Sequence, residues 1–274
     1  MMNESIASIE ITDEILSQYH QWFENYANGI HSNDEVTTKF IGLKKLHTEK
    51  VVEITDILAT ELQLSPIQQN IAHIIALFHD IGRFYQMQMY HTFNDKKSEN
   101  HATIGVRVLL KHQLFENMAL KTRTAIYTAI MHHNMRHLPK FKDPKIYFLS
   151  QLIRDADKLD IYRIVCQEYK EIQTDGTEDA KKSSGFAQLW FLIDDSITES
   201  ILHGFLRHEQ IPTGIAQTIA DVKVMQLAWI YDFNFPESIG LLKKKGYLDQ
   251  ILDSMPDNGQ KIKIVNQLKQ DFIG

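Results

Sequence analysis

The chain has 274 residues, 43% of them hydrophobic, with 12 glycines, 6 prolines and one cysteine, enough to bury one large core, or a core with a smaller dependent unit. A formal charge of −6 argues against a chain that mainly neutralises a nucleic-acid backbone, and one cysteine excludes an internal disulfide. No apolar run reads as long enough to cross a bilayer and no basic-then-apolar leader is read, so the expectation is a cytoplasmic protein without membrane or nucleic-acid partners.

Apolar residues recur at helical spacing and alternating Val/Ile/Thr runs are scarce, which predicts an all-α fold. The first helix is predicted over about 13–26, capped by Thr12, with Ile15, Tyr19, Trp22 and Phe23 as its apolar stripe. After Ser32-Asn33-Asp34, a longer helix places Phe40, Leu43, His47, Val51, Ile54 and Leu58 on one inward face. Ser65-Pro66 starts the next helix, which leads through Ile67, Ile71, Ile74, Ile75 and Phe78 to His79-Asp80 in its last turn, with Gly82 placed to end it.

A polar segment, 86–100, separates this from a helix capped by Ser98 or Asn100, on which His101, Ile104, Gly105 and Val108 share a face. A helix over roughly 117–133 carries Ile126, Ala129, Ile130 and His133 on one stripe, with His132 one position to the side. Asp143-Pro144 opens a long helix to about 172 whose stripe of Ile146, Ile153, Asp157, Ile161 and Ile164 has Asp157 as its only ionisable member. The polar run TDGTEDAKKSSG at 174–185 is expected to be a loop, and helices are expected to resume at about 194–207, 213–232, 236–245 and 257–271.

An ionised carboxylate in an apolar stripe costs several kcal/mol unless it is paired or binds a metal, so Asp80 and Asp157 need partners. Histidines on facing helices are available, from a total of 13. Imidazoles and carboxylates projecting into a helical core can build a metal site, and this nitrogen and oxygen mixture suits Mn, Fe, Co, Ni or Zn, with Mg also open. The lack of cysteine ligands disfavours a structural zinc.

The order His47, LFHDIG at 77–82 and RDADKLD at 154–160 resembles the HD-domain superfamily of metal-dependent phosphohydrolases, over about residues 40–165. The resemblance implies that His47, His79, Asp80 and Asp157 bind one metal. Asp155 competes with Asp157, but helical phase groups it with Leu152, Leu159 and Tyr162. The addition of His101 and the pair His132-His133 resembles the dinuclear branch that includes the HD-GYP cyclic-dinucleotide phosphodiesterases, and implies a second metal or contacts to substrate phosphate. NMRHLPK stands where that branch has Gly-Tyr-Pro, so cyclic-dinucleotide specificity does not carry over.

The expected chemistry is hydrolysis of a phosphate ester, of a nucleotide or another small phosphorylated metabolite, by metal-activated water with one or two metals per chain. Asp80 would bridge two metals, or orient the attacking water if only one is bound. Arg83 would clamp phosphate at the mouth of the site, with Lys158 a weaker candidate. His101, His132 or His133, where not ligands, would protonate the leaving oxygen. Residues 1–173 are expected to form the phosphohydrolase domain with its N-terminal packing helix, and 174–274 a helical extension packed on it that can also serve as a homo-oligomer interface. The competing reading is a non-catalytic nucleotide or metal sensor using the same pocket.

Overall fold

The computed structural model describes residues 11–30, 35–175, 196–209 and 211–272, and among them every regular element is a helix. The chain divides into two compact units, Met1–Asp160 and Ile161–Gly274. The border expected at 173/174 falls instead within one uninterrupted helix. The segment Ser32-Asn33-Asp34 and most of the 174–185 loop lie outside the described residues.

The first unit contains α1 (Asp13–Asn28), α2 (Glu35–Glu61), α3 (Pro66–Phe78), α4 (Ile81–Tyr90), α5 (His101–Lys111), α6 (Leu120–His132) and the first half of α7 (Pro144–Asp175). Local signals fix their starts. The Thr12 hydroxyl accepts from the Ile15 amide, Ser65 and Gln68 form a reciprocal capping box ahead of Pro66, and the Asn100 side chain accepts from the Ala102 and Thr103 amides. Helix α2 packs on α3 and α4, α4 on α5, α5 on α6, and α1 and α6 on α3. Between them lies an aromatic core in which Phe78 meets Phe115 and Phe23 meets Phe84 at ring angles typical of edge contacts.

Four expectations change. Leu43 is exposed; the inward stripe of α2 runs through Ile41, His47, Thr48, Val51, Thr55 and Leu58, with Lys44 rather than Leu43 toward the site. The polar segment expected from 86 begins later, because α4 continues to Tyr90 and buries Phe84, Gln86 and Met87 before His91 ends it in a left-handed conformation. Asp157 is not the only ionisable residue facing inward on α7, since Asp155 and Asp160 are fully buried.

Fourth, Gly82 does not end a helix. Helix α3 stops at Phe78, His79 caps it, Asp80 leaves helical geometry, and α4 starts at Ile81. Gly82 instead permits a close backbone crossing of α4 and α5: a Cβ there would lie 2.0 Å from the His101 carbonyl and 2.5 Å from the Gly105 amide. Backbone cannot yield as a side chain end can.

The second unit contains the remainder of α7, α8 (Glu199–Leu206), α9 (Ile219–Ala228), α10 (Pro236–Lys244), α11 (Tyr247–Asp253) and α12 (Gly259–Phe272), with short 3-10 turns at Thr213–Ile215 and Trp229–Asp232. Helix α11 was not anticipated, being too short to show a period. Asp221 holds the unit together locally by accepting from the Thr198 amide at 2.7 Å and the Thr198 hydroxyl at 2.6 Å. No described helix is long and apolar enough to cross a membrane.

Gly82→Ala is expected to destabilise the protein by about 3 kcal/mol through this backbone clash, against at most about 1 kcal/mol for Gly105→Ala, whose nearest neighbours would lie at 3.3 Å. Urea denaturation of both variants checks the ranking; equal effects would contradict it.

Candidate metal centre

The break between α3 and α4 sets the site. Ending one helix at Phe78 and starting another at Ile81 leaves His79 and Asp80 on a tight joint, both buried, with α2, α5, α6 and α7 contributing the rest. His47 comes from the middle of α2, His101 is the first residue of α5, His133 caps α6, and Asp157 lies on α7.

Each of the four buried histidines is anchored by its Nδ1. His47 donates to Asp160 Oδ2 at 2.7 Å, His101 to Asp95 Oδ2 at 2.7 Å, His79 to the Ala76 carbonyl at 2.7 Å and His133 to the Ile130 carbonyl at 2.7 Å. Carbonyls and carboxylates only accept, so each ring carries a proton on Nδ1, and the four Nε2 atoms face the site, able to bind a cation when unprotonated. The His47 and His79 Nε2 atoms lie 3.3 Å apart, and those of His101 and His133 3.1 Å apart. Lone pairs facing each other at such distances repel unless a proton or a cation lies between them.

Asp80 straddles the two histidine pairs. Its Oδ2 is 3.6 Å from His47 Nε2 and 3.8 Å from His79 Nε2, while Oδ1 is 3.2 Å from His101 Nε2 and 3.7 Å from His133 Nε2. Two sets of donors thereby come within mutual ligand distance, His47 with His79 and Asp80, and Asp80 with His101 and His133. Asp157 Oδ1 lies beside the first set, 3.1 Å from His47 Nε2 and 3.9 Å from His79 Nε2. This donor set of imidazole nitrogens and carboxylate oxygens fits divalent transition metals, and its geometry fits a shared carboxylate.

The electrostatics agree with that fit. Burial raises the Asp80 pKa, but Lys44, His79, His133 and His101 outweigh it and hold the carboxyl well below its usual range. Asp157 is likewise lowered: burial opposes ionisation, and the hydrogen bond and charge of His47 overcome it. Burial pulls His79 and His101 each down to about 4, leaving neutral rings able to act as ligands at pH 7. His47 differs: burial and Lys44 lower it, yet its bonds to Asp157 and Asp160 bring it above the ordinary value.

Other expected residues lie elsewhere. His132 donates its Nδ1 to the Thr128 carbonyl at 2.7 Å and packs against Phe141. A step of one residue turns a side chain by about 100° around the helix, and His133 takes the inward direction. Arg83 is engaged behind the site, its Nη1 donating to the Phe93 carbonyl at 2.6 Å, Gln86 Oε1 at 2.9 Å and Asp95 Oδ1 at 3.0 Å, with Nε 3.6 Å from Asp80 Oδ1. These hydrogen bonds all use Nη1. Lys158 is half-buried on α7.

Several participants were missed. Asp160 and Asp95 orient His47 and His101, and Gln86 steadies Asp95 by donating to its Oδ1 at 2.8 Å. Lys44 donates to Asp80 Oδ2 at 2.7 Å from a side chain that remains 23% exposed. Arg154 donates to the carbonyls of His133, Met135 and Arg136, holding the chain that leaves α6. Asp160 and Arg154 stood in the RDADKLD segment and Lys44 one turn before His47, so their positions were visible although their roles were not.

The all-helical unit brings imidazoles and carboxylates from separate helices into clusters that could hold a metal ion. Residues 46–162 match the family model of the HD domain, consistent with the HD-domain phosphohydrolase superfamily, whose members are generally metal-dependent hydrolases. No curated protein and no solved structure matches the chain.

Two outcomes follow. Asp160→Asn is expected to weaken metal binding about 10–100-fold while the protein stays folded; an unchanged affinity in a metal titration would contradict an orienting role. For metal-stripped protein, His79 and His101 stay neutral in the folded state down to about 4, whereas the unfolded chain protonates them below about 6.5. At these two rings the unfolded state then binds more protons, so their contribution to stability falls as the pH drops from about 6.5 to 4. Urea midpoints at pH 7.5, 6 and 5 should decrease in that order.

Proposed function

We propose that this protein hydrolyses a phosphate ester of a small metabolite, with a nucleotide as the favoured class, at a two-metal centre in its HD domain. The observation that carries this reading is Asp80, one carboxylate whose two oxygens each face a histidine pair with its Nδ1 atoms already bonded elsewhere. His47, His79, Asp80 and Asp157 would hold one metal, and Asp80, His101 and His133 the second. Divalent metals bound there lower the pKa of a water molecule and polarise a phosphoryl oxygen.

The chain's own residues supply the remainder. Asp160 and Asp95 fix the His47 and His101 rings, and the Arg83, Gln86 and Asp95 network fixes the second carboxylate in turn. Asp157, partly open to solvent with 20% side-chain exposure, would complete the first set as its second carboxylate. Lys44 is the cation for substrate phosphate in this reading. It is partly exposed, its stem is flexible, and a divalent ion sharing Asp80 Oδ2 would repel the ammonium toward an incoming anion.

Elemental analysis of protein purified with Mn or Co should give two metals per chain, one in His101→Ala and none in Asp80→Ala. Phosphate release from a nucleotide panel should vanish in Asp80→Ala and on chelation. Lys44→Met should raise KM about tenfold or more with a smaller change in kcat. Two bound metals without turnover on any member of a broad panel would favour the sensor reading and reject hydrolysis.

A further inference from the structure

Away from the metal centre, α1, α4 and α5 enclose a cavity of about 580 Å³, within the size range of small-molecule sites. Its floor is apolar, formed by the buried Ile104 and Val108 of α5. Above it stand Arg107 and Lys111, one helical turn apart on α5, with His112 following and the phenols of Tyr26 and Tyr85 opposite. Among the described residues no carboxylate lines it, although the whole chain carries a charge of −6.

The cavity has two chemically distinct parts. One is aromatic: Tyr26 stacks on Trp22 with ring centroids 5.1 Å apart, and the His112 ring meets both edge-on at 5.2 and 5.9 Å. The other is basic: Arg107 is engaged there by Glu99 in a two-pronged bond at 2.8 and 2.9 Å, and Lys111 stands one turn further along α5. Burial pushes the Tyr26 phenol up to about 12, so it stays a hydrogen-bond donor at neutral pH. A ligand filling both parts needs a planar ring and an anionic group.

We infer that this cavity is a second ligand site that takes a nucleoside monophosphate or a similarly sized phosphorylated aromatic compound. It is separate from the metal centre. None of His47, His79, Asp80, His101, His133 and Asp157 is among its lining residues. The inference does not depend on hydrolysis at that centre.

The test is isothermal titration of chelator-treated, full-length protein with the four common ribonucleoside monophosphates, and with adenosine and inorganic phosphate as partial probes. At least one monophosphate should bind saturably, at least tenfold tighter than either partial probe. Asp80→Ala should bind it unchanged, whereas Lys111→Glu and Arg107→Glu, both surface changes checked for folding by circular dichroism, should each lose at least tenfold. The site is overturned if no monophosphate binds at millimolar concentration, if phosphate alone binds as well, or if Asp80→Ala loses binding while Lys111→Glu retains it.

Discussion

The first unit depends on keeping the Asp80 carboxylate ionised in a buried place. A carboxylate there is costly to desolvate and is tolerated only where cations or strong donors compensate. Here that compensation comes from several elements at once: Lys44 from α2, His79 from the adjoining turn, His101 from α5 and His133 from the end of α6. The helices are therefore tied to one another by charge as well as by apolar packing. Because one carboxylate addresses both histidine pairs, a displacement of any of these elements would be felt by both.

The orientation of the imidazoles follows from a second layer that does no chemistry itself. Asp160 and Asp95 bind the backs of one histidine in each pair, and main-chain carbonyls bind the backs of the others. Carboxylate acceptors raise ring basicity more than carbonyls do, so each pair combines one stronger and one weaker donor. The Gly82 and Gly105 crossing belongs to the same arrangement, since it lets the α5 backbone bring His101 against the α3 and α4 joint.

What the sequence made legible follows physical range. The all-helical class and the starts at Thr12, Ser65 and Asn100 were readable because capping is a local hydrogen bond between side chain and nearby amide. The residues His47, His79, Asp80 and Asp157 stood out as polar groups on apolar stripes. Asp95 did not, because it lies in a loop where no period marks an inward direction, and only the folded chain brings it to His101. The choice between His132 and His133 was equally out of reach, since the end of α6 decides which ring turns inward. Gly82 was misread for a related reason: glycine marks helix ends and close backbone crossings alike, and the neighbour that distinguishes them is 19 residues further on, at His101.

This division also explains where stability has been given up. Asp155, Asp160, Asp80 and Arg154 are buried alongside four histidines in one region of a domain of moderate size. Apolar residues of similar volume would pack there with less desolvation, and buried ionic groups are poor contributors to net stability. The four histidines and Asp80 instead bring Nε2 atoms and carboxylate oxygens to distances suited to a shared cation. Such a cation would bind the folded chain far better than the unfolded one, so its binding energy would return stability to the region that the charges destabilise. Such a cation would in that sense complete the fold, since bonds to it would relieve the repulsion between the facing imidazole nitrogens.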